Sequence, residues 1–308
     1  MDRFAAMKAF VMVIDSGSFS AAARYLNVGQ PAVSKSVAQL EDRLGVKLLS
    51  RSTHKLVPTE AGLNFYERAR RSIEEADEAE LAARGASRGL AGTLRICAAV
   101  TFARIHLVPR LPEFLAQHPD LKMEVVLDDR NVDLVQGGID VALRMGRLAD
   151  SALTARRIAS TRHAVIGTPA YFAQAGEPAE PGDLAAHEAV IYAQQTGSAV
   201  WTFQRDSAAQ MVRLNGRLRI TAAEGVRAAV LAGAGIAIAS EWMFTPELDA
   251  GTVKAVLRDW RLPPLDLWAI FPAGRTASTK ARTFTRFVEE VMHRSCTAME
   301  NFPLRHTP

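Results

Sequence analysis

The sequence predicts an α/β domain preceded by an all-α helix-turn-helix domain with a small wing and a long connecting helix. Three observations carry this. Three short amphipathic patterns lie ahead of Gly45, a longer heptad pattern starts at Glu60, and from Thr93 the texture changes to alternating strands and helices.

At 308 residues, 48% hydrophobic and 23% charged, the chain suits about two globular domains with a sizeable core. The apolar run Phe10–Ile14 is too short for a signal peptide, Lys8 interrupts what precedes it, and no cleavage site follows. No run approaches the ~20 apolar residues of a membrane span. A cytoplasmic protein with no membrane partner is therefore expected. Cys97 and Cys296 are far apart and lack a Cys-x-x-Cys partner, which argues against a disulfide framework or a zinc site.

Charge is placed unevenly. Residues 1–58 hold eight basic groups against four acidic ones, and the rest of the chain is balanced, so the whole excess of +4 lies at the start. A polyanion is the natural partner for that segment.

Phe4, Met7, Val11 and Ile14 mark one face of a first helix. Ser16-Gly17-Ser18 breaks it, and Ser18 is a good N-cap for a short second helix, Phe19 to Leu26, rich in small residues. Asn27-Val28-Gly29 is a tight turn, with Val28 expected to tuck beneath it. Pro31 then opens a third helix, where a missing N–H costs nothing. Its buried stripe is Val33, Val37, Leu40 and Leu44. Gly45 ends it, and Val46 is placed for the hydrophobic contact of a Schellman cap.

Short helix, Gly-containing turn and longer helix make a helix-turn-helix, whose second helix enters the DNA major groove. The face opposite the stripe presents Gln30, Ser34, Lys35 and Gln39. Gln pairs with adenine, Lys reaches guanine O6/N7, and Ser34 with the helix start suits phosphate or base contacts. Next, Lys47–Val57 reads as a small β-hairpin carrying Arg51, His54 and Lys55. Lys47 is equally well explained as a solvated residue.

Thr59 caps a helix from Glu60 to about Arg84. Tyr66, Ala69, Ile73, Ala76 and Ala83 form a heptad seam interrupted by Glu80. Pairing with a second copy, and so a dimer, is expected; packing onto its own chain is the alternative. Gly85–Gly92 reads as a hinge.

In the α/β part, strands are expected at Leu94–Ala98, Val125–Leu127, Ile139–Leu143, Val165-Ile166, Val190-Ile191 and Ile236–Ala239. Helices are expected at His106–Gln117, Asn131–Gln136 and Glu224–Ala232, giving parallel layers. Ligands of such sheets bind at the carboxyl ends of strands. That places a pocket near Val100, Thr101, Phe102, Arg144-Met145-Gly146, Gln194–Trp201 and Ala223-Glu224-Gly225. Catalytic chemistry is not evident. Gly233-Ala-Gly235 lacks the third glycine of a dinucleotide loop and precedes a strand. No zincin pattern or Gly-x-Ser-x-Gly elbow occurs. The chain is thus expected to be no enzyme and to need no cofactor or metal, with its histidines as surface or packing residues.

Ser16–Ala23, Leu26, Gln30-Pro31-Ala32-Val33-Ser34, Leu40-Glu41, Leu44–Leu48, Arg51 and Thr59–Gly62 together resemble the N-terminal motif of LysR-type transcriptional regulators. Pro109, Leu111, Phe114, Pro119-Asp120, Asp140–Arg144, Gly225 and Gly233–Ala237 extend the resemblance more loosely. It implies a winged helix-turn-helix (1–58), a dimerising linker helix and hinge (59–90), and an effector-binding domain (91–308). That domain would have two periplasmic-binding-protein-like lobes, lobe I at about 91–161 and 267–308, and lobe II at about 162–266. The resemblance further implies a homodimer or homotetramer on double-stranded promoter DNA, controlled by a small-molecule effector. On it, Gln30, Pro31, Ser34, Lys35 and the wing residue Arg51 match DNA-contacting positions, and Lys55 rides on the same wing. Thr101, Arg144 and Glu224 match effector-pocket positions, beside Val100, Phe102 and Trp201. Arg144 and the helix start at Thr101 point to an anionic effector. Gly29, Leu49 and Pro58 depart from the motif, but none removes a DNA contact.

Overall fold

The computed structural model describes residues 2–51, 56–83, 90–130, 133–135, 137–146, 148, 154–193, 199–272 and 277–300. The chain forms two compact units, Met1–Gly92 and Thr93–Pro308.

In the first unit, Asp2 caps α1 (Arg3–Ser16) by accepting the Phe4 and Ala5 amides at 2.9 and 3.2 Å. Its deepest side chains are Ala6, Phe10 and Val13, while Phe4 and Ile14 are only half-buried. The expected four-residue stripe is too narrow because α1 is covered from two sides, by α3 (Gln30–Leu44) and α4 (Glu60–Ala83). Between α1 and α3 runs α2 (Phe19–Tyr25), whose cap Ser18 accepts the Ala21 amide at 3.1 Å. Asn27 takes a left-handed φ of 53°, and the Val28 amide donates back to Ala23. That closure turns the Val28 side chain outward, 48% exposed, so it is no plug beneath the turn.

Helix α3 buries Val33, Val37 and Leu40, but Leu44 and Val46 are exposed. The Schellman hydrogen bonds form at Gly45 (φ 69°), from Gly45 to Asp42 and from Val46 to Glu41. The accompanying hydrophobic contact does not. Its place on the buried side is taken by Glu41, only 7% exposed. The Glu41 carboxylate accepts the Leu48 and Leu49 amides at 2.9 and 3.1 Å and the Lys47 ammonium at 2.7 Å. Burial works against its charge. The bonds from Lys47, Leu49 and Leu48 outweigh that and hold its carboxyl below the usual glutamate range.

From this anchor β1 (Leu49–Arg51) pairs antiparallel with β2 (Leu56–Pro58), Ser50 opposite Val57. The tip, with His54 and Lys55, lies outside the described residues. Thr59 then caps α4, accepting the Gly62 amide at 2.9 Å while its hydroxyl donates to the Lys47 carbonyl. A side chain at Gly62 would put its Cβ 2.0 Å from the Leu48 carbonyl oxygen, so α4 approaches the wing backbone only because glycine stands there.

The heptad seam is corrected over its first half. Ala69 is buried, and Tyr66 and Ile73 pack into the core that α1 shares. Tyr66 donates to Asp15, Phe65 meets Phe10 at 5.6 Å between ring centroids, and Lys8 pairs with Asp77 at 3.0 Å. The chain's own α1 covers these positions. Glu80 and Ala83 lie outside the described side chains, and the hinge at 85–89 outside the described residues.

The second unit runs through β3 (Gly92–Ala98), α5 (Val100–Phe102), α6 (Leu111–Gln117), β4 (Leu121–Leu127), β5 (Val141–Met145) and β6 (Thr154–Thr161). It crosses to β7 (His163–Gly167), α7 (Pro169–Ala175), β8 (Val190–Tyr192), β9 (Val200–Arg205), β10 (Ala208–Arg213) and β11 (Leu218–Ile220). Then follow α8 (Ala223–Leu231), β12 (Ala237–Ser240), α9 (Thr245–Asp249) and β13 (Lys254–Val256), before β14 (Leu265–Phe271) and α10 (Thr279–Glu300) return.

The first lobe is a five-stranded sheet of order β4-β3-β5-β14-β6. The second is built on β12-β7-β13, flanked by the pairs β8/β11 and β9/β10. In place of the expected wholly parallel layers, the sheets are mixed. β3 and β5 are parallel, but β14 runs antiparallel to β5 and β6, and β12 and β13 antiparallel to β7. The return crossing brings β14 into the first sheet from the opposite end. The expected helix 106–117 begins earlier, at Val100, with a π turn over Ala103–Leu107 and a 3₁₀ turn over Val108–Arg110 before α6. Pro109 has no N–H to give a regular α ladder. At 131–136, the described residues 133–135 form a turn. No single helix among the described residues is long and apolar enough to cross a membrane.

Glu41 yields a stability prediction. Its carboxyl titrates lower in the folded unit than in the unfolded chain, so its contribution is complete above the unfolded value and disappears as pH falls through the folded one. Glu41→Gln should therefore weaken the N-terminal unit at neutral pH by about 1–3 kcal/mol. The gap from wild type should close below about pH 4. Amide hydrogen exchange across α3 and β1 measures both.

Candidate functional site

The candidate nucleic-acid surface is the outer face of α3. Gly29 leaves its start without a side-chain cap, so the helix presents a positive end that favours an anion. Gln30, Pro31, Lys35 and Gln39 are exposed and Ser34 half-exposed. Gln30 with Ser34, and Pro31 with Lys35, are four residues apart and neighbours along the helix. Lys35 has no ion-pair partner among the described residues. Arg51 closes β1 opposite Leu56, its side chain outside the description, and Lys55 lies outside the described residues.

Sequence reasoning missed Glu41 as the residue that fixes the wing to this helix. The available signal was its spacing, four residues after Val37 and so on the buried face, with Lys47 close behind.

The candidate ligand site lies where the carboxyl ends of β3, β4 and β5 face the second lobe. Here the structure brings Thr101 and Glu224 together. The Thr101 hydroxyl, 3% exposed, donates to Glu224 Oε2 at 3.0 Å. Arg104 reaches both Glu224 oxygens at 3.0 and 3.3 Å, and Arg227 reaches Oε1 at 3.2 Å while also pairing with Glu247. Val100 is half-buried, its amide donating to Asp129 Oδ1 at 2.9 Å. Tyr192 faces Asp129 from the second lobe. Burial first, and the Asp129 charge second, push its hydroxyl up to about 12.

Arg144 is half-buried at the end of β5, donating to the Arg130 carbonyl beside an Arg130–Asp128 ion pair. Phe102 is buried in a cluster with His106 and Trp242, at centroid distances of 5.7 and 6.1 Å. His106 Nε2 donates to the Trp242 carbonyl at 2.7 Å, and burial lowers its pKa. Among the described residues the lobes thus meet in a polar contact around Glu224 and an aromatic one around Trp242, beside the approach of Tyr192 to Asp129.

Trp201 does not join this group. It packs edge-on to His163 against the core of Val165, Ile238 and Val256, under the β9/β10 hairpin. Helix α8, which carries Glu224, covers the other face of the same sheet, against Ala164, Ile166, Ala237 and Ala239. The loop 194–198 lies outside the described residues. Arg104, Asp129, Tyr192, Arg227 and Glu247 were missed, because their convergence depends on which lobe faces which.

Residues 4–63 match a family model described as the bacterial regulatory helix-turn-helix protein, lysR family. Residues 87–293 match the LysR substrate binding domain. An HTH-type transcriptional regulator of Xanthomonas campestris is 34% identical over 283 residues, covering 91% of this chain and 82% of that protein. The HTH-type transcriptional regulator CrgA of Neisseria meningitidis serogroup C is 30% identical, over 93% of this chain and 96% of its own. The solved structure of Neisseria meningitidis CrgA, a LysR-type transcriptional regulator, superposes with a TM-score of 0.59 at 27% identity, covering 93% of this chain and 98% of that one. A hydrogen-peroxide-bound mutant of Corynebacterium glutamicum OxyR gives 0.62 at 20% identity over 99% of both chains, a likeness of fold alone.

Phe102→Ala should lower the stability of the effector-side unit by about 3–5 kcal/mol, since it empties a packed aromatic site. Because Trp242 is its neighbour, thermal unfolding followed by tryptophan emission should show a lower midpoint and an altered native signal.

Proposed function

The chain belongs to the LysR family of bacterial transcriptional regulators, a helix-turn-helix DNA-binding unit joined to a substrate-binding effector domain, and on that premise we propose which residues do each job. Gln30, Pro31, Ser34 and Lys35 read the major groove of promoter DNA, while Arg51 and Lys55 on the wing hold the backbone. The polar, exposed face of α3 is the observation that carries this reading. It sits in the segment, residues 1–58, that holds the chain's whole net positive charge.

The division proposed is 1–58 for DNA, 59–90 for linking and dimerisation, and 91–308 for the effector. A small molecule binds between lobe I (91–161 and 267–308) and lobe II (162–266). Val100, Thr101, Arg144 and Glu224 lie nearest the cleft, Phe102 supports it, and Trp201 contributes through the packing of lobe II. Effector binding favours one arrangement of the lobes over another, and in a homodimer or homotetramer this shifts the DNA-binding pairs and the DNA bend. Such a regulator works in the cytoplasm. The binding of DNA and effector, without chemical conversion of either, accounts for the residues assigned.

Selection of fragmented genomic DNA by the purified protein, at an ionic strength of about 0.15 M, tests this. Enrichment of a few sites with an interrupted inverted repeat is expected, and retention without sequence preference would remove α3 as the reading element. On a recovered site, Lys35→Ala should weaken binding and reduce the salt slope by about one. Gln30→Ala should cost about 1–3 kcal/mol and relax the preference at one base pair. Titrations over a range of salt separate the two effects.

A further inference from the structure

We propose that Glu224 is a built-in occupant of a carboxylate site, and that the effector is a small carboxylate-bearing anion that takes its place. The proposal rests on reading the cleft as the effector site. Three donor groups from two lobes converge on one carboxylate. The Thr101 hydroxyl and the Arg104 guanidinium come from the first lobe, and the Arg227 guanidinium from the second. Thr101 is nearly sealed from water, so its hydroxyl needs an acceptor at that point whether or not Glu224 supplies it.

Charge decides the class of ligand. Arg104 and Arg227 face Glu224 and Glu247, a balanced set. Arg227 stays paired with Glu247, its carboxylate only 15% exposed. With Glu224 withdrawn, the set carries one uncompensated positive charge, and the Thr101 and Arg104 donors point into the vacated space. A carboxylate meets that requirement with the same acceptor geometry. A cationic ligand meets two guanidiniums, and a neutral one leaves the charge unmatched.

Glu224 has a way out, because its side chain is 38% exposed. As a tethered ligand it competes at a high effective concentration. Abundant simple anions are thereby excluded, and an effector prevails only with further contacts, for which Val100 and Tyr192, half-buried on either side of Asp129, are the nearest groups. Displacement also removes the hydroxyl and guanidinium bonds that tie α8 to the first lobe. Effector binding and lobe rearrangement become one event.

Propionate, the Glu224 side chain beyond Cα as a free acid, is the probe. In full-length Glu224→Ala, propionate should raise the effector-domain unfolding temperature above that in chloride of equal ionic strength. Wild type should respond only at far higher concentration. Adding Thr101→Val to Glu224→Ala should weaken the apparent affinity by about 10-fold, as the loss of one good hydrogen bond to a charged group requires. Equal responses of Glu224→Ala and wild type, or an undiminished response in the double variant, would overturn the proposal. Should Glu224→Ala not fold, the same titration of Glu224→Gln decides. That variant keeps the volume but not the charge, so a response between those expected of the other two supports displacement, and none refutes it. These readouts involve no DNA. Selective genomic binding alongside a failed propionate test would leave the regulator reading standing and remove only the displacement of Glu224.

Discussion

A buried carboxylate at the base of α3 sets the geometry of the N-terminal unit. Glu41 sits where an apolar stripe continues, and its charge is tolerated there only because the Lys47 ammonium and the Leu48 and Leu49 amides converge on it. Those donors belong to the residues that open the wing. One charged group therefore ties the last turns of α3, which Gly45 ends, to the start of β1, and orients the wing relative to the exposed face that bears Gln30, Ser34 and Lys35. Thr59 and Gly62 then lock α4 onto the same backbone at Lys47 and Leu48. Helix α3, the wing and α4 are thus registered against one short segment, and the absence of a side chain at Gly62 is part of that fit.

The effector domain solves a related problem across its cleft. Two lobes share few covalent crossings, and among the described residues the stretch Val100–Leu107 makes the hydrogen-bonded and aromatic contacts with the second lobe. The π turn widens the helix there, and such turns recur at functional positions. Thr101 and Arg104 engage Glu224, while Phe102 and His106 pack on Trp242. The aromatic contact is dry and close-packed. The polar contact is partly open to solvent and made of groups that an anion can imitate. Of these two contacts the aromatic one excludes water, and the polar one is the one that solvent reaches.

Much of the architecture was legible in local patterns. Ser18, Pro31, Gly45 and Thr59 act where capping chemistry puts them, since a cap involves only neighbours in the chain. The failures share a different cause. Val28, expected inside, lies outside because a backbone bond to Ala23 turns it. Leu44 and Val46 lost their buried places to Glu41, a residue no apolar count would favour. The heptad of α4 suggested a partner helix, and over Tyr66, Ala69 and Ile73 the partner is α1 of the same chain. Trp201 falls beside the pocket residues by its position in the sequence, yet a hairpin carries it to the opposite face of the sheet.

The sequence by itself determined the helix-turn-helix, the polar face of α3, the uneven charge and the succession of strands and helices. Each depends on periodicity, capping or composition, which act over a few residues. Only the tertiary structure decided that Glu41 would be buried, that β14 would enter its sheet antiparallel, and that Thr101 would meet Glu224 across 123 positions of chain. These outcomes depend on which surfaces close over one another. Burial and electrostatic pairing are properties of that closure, and no local pattern encodes them.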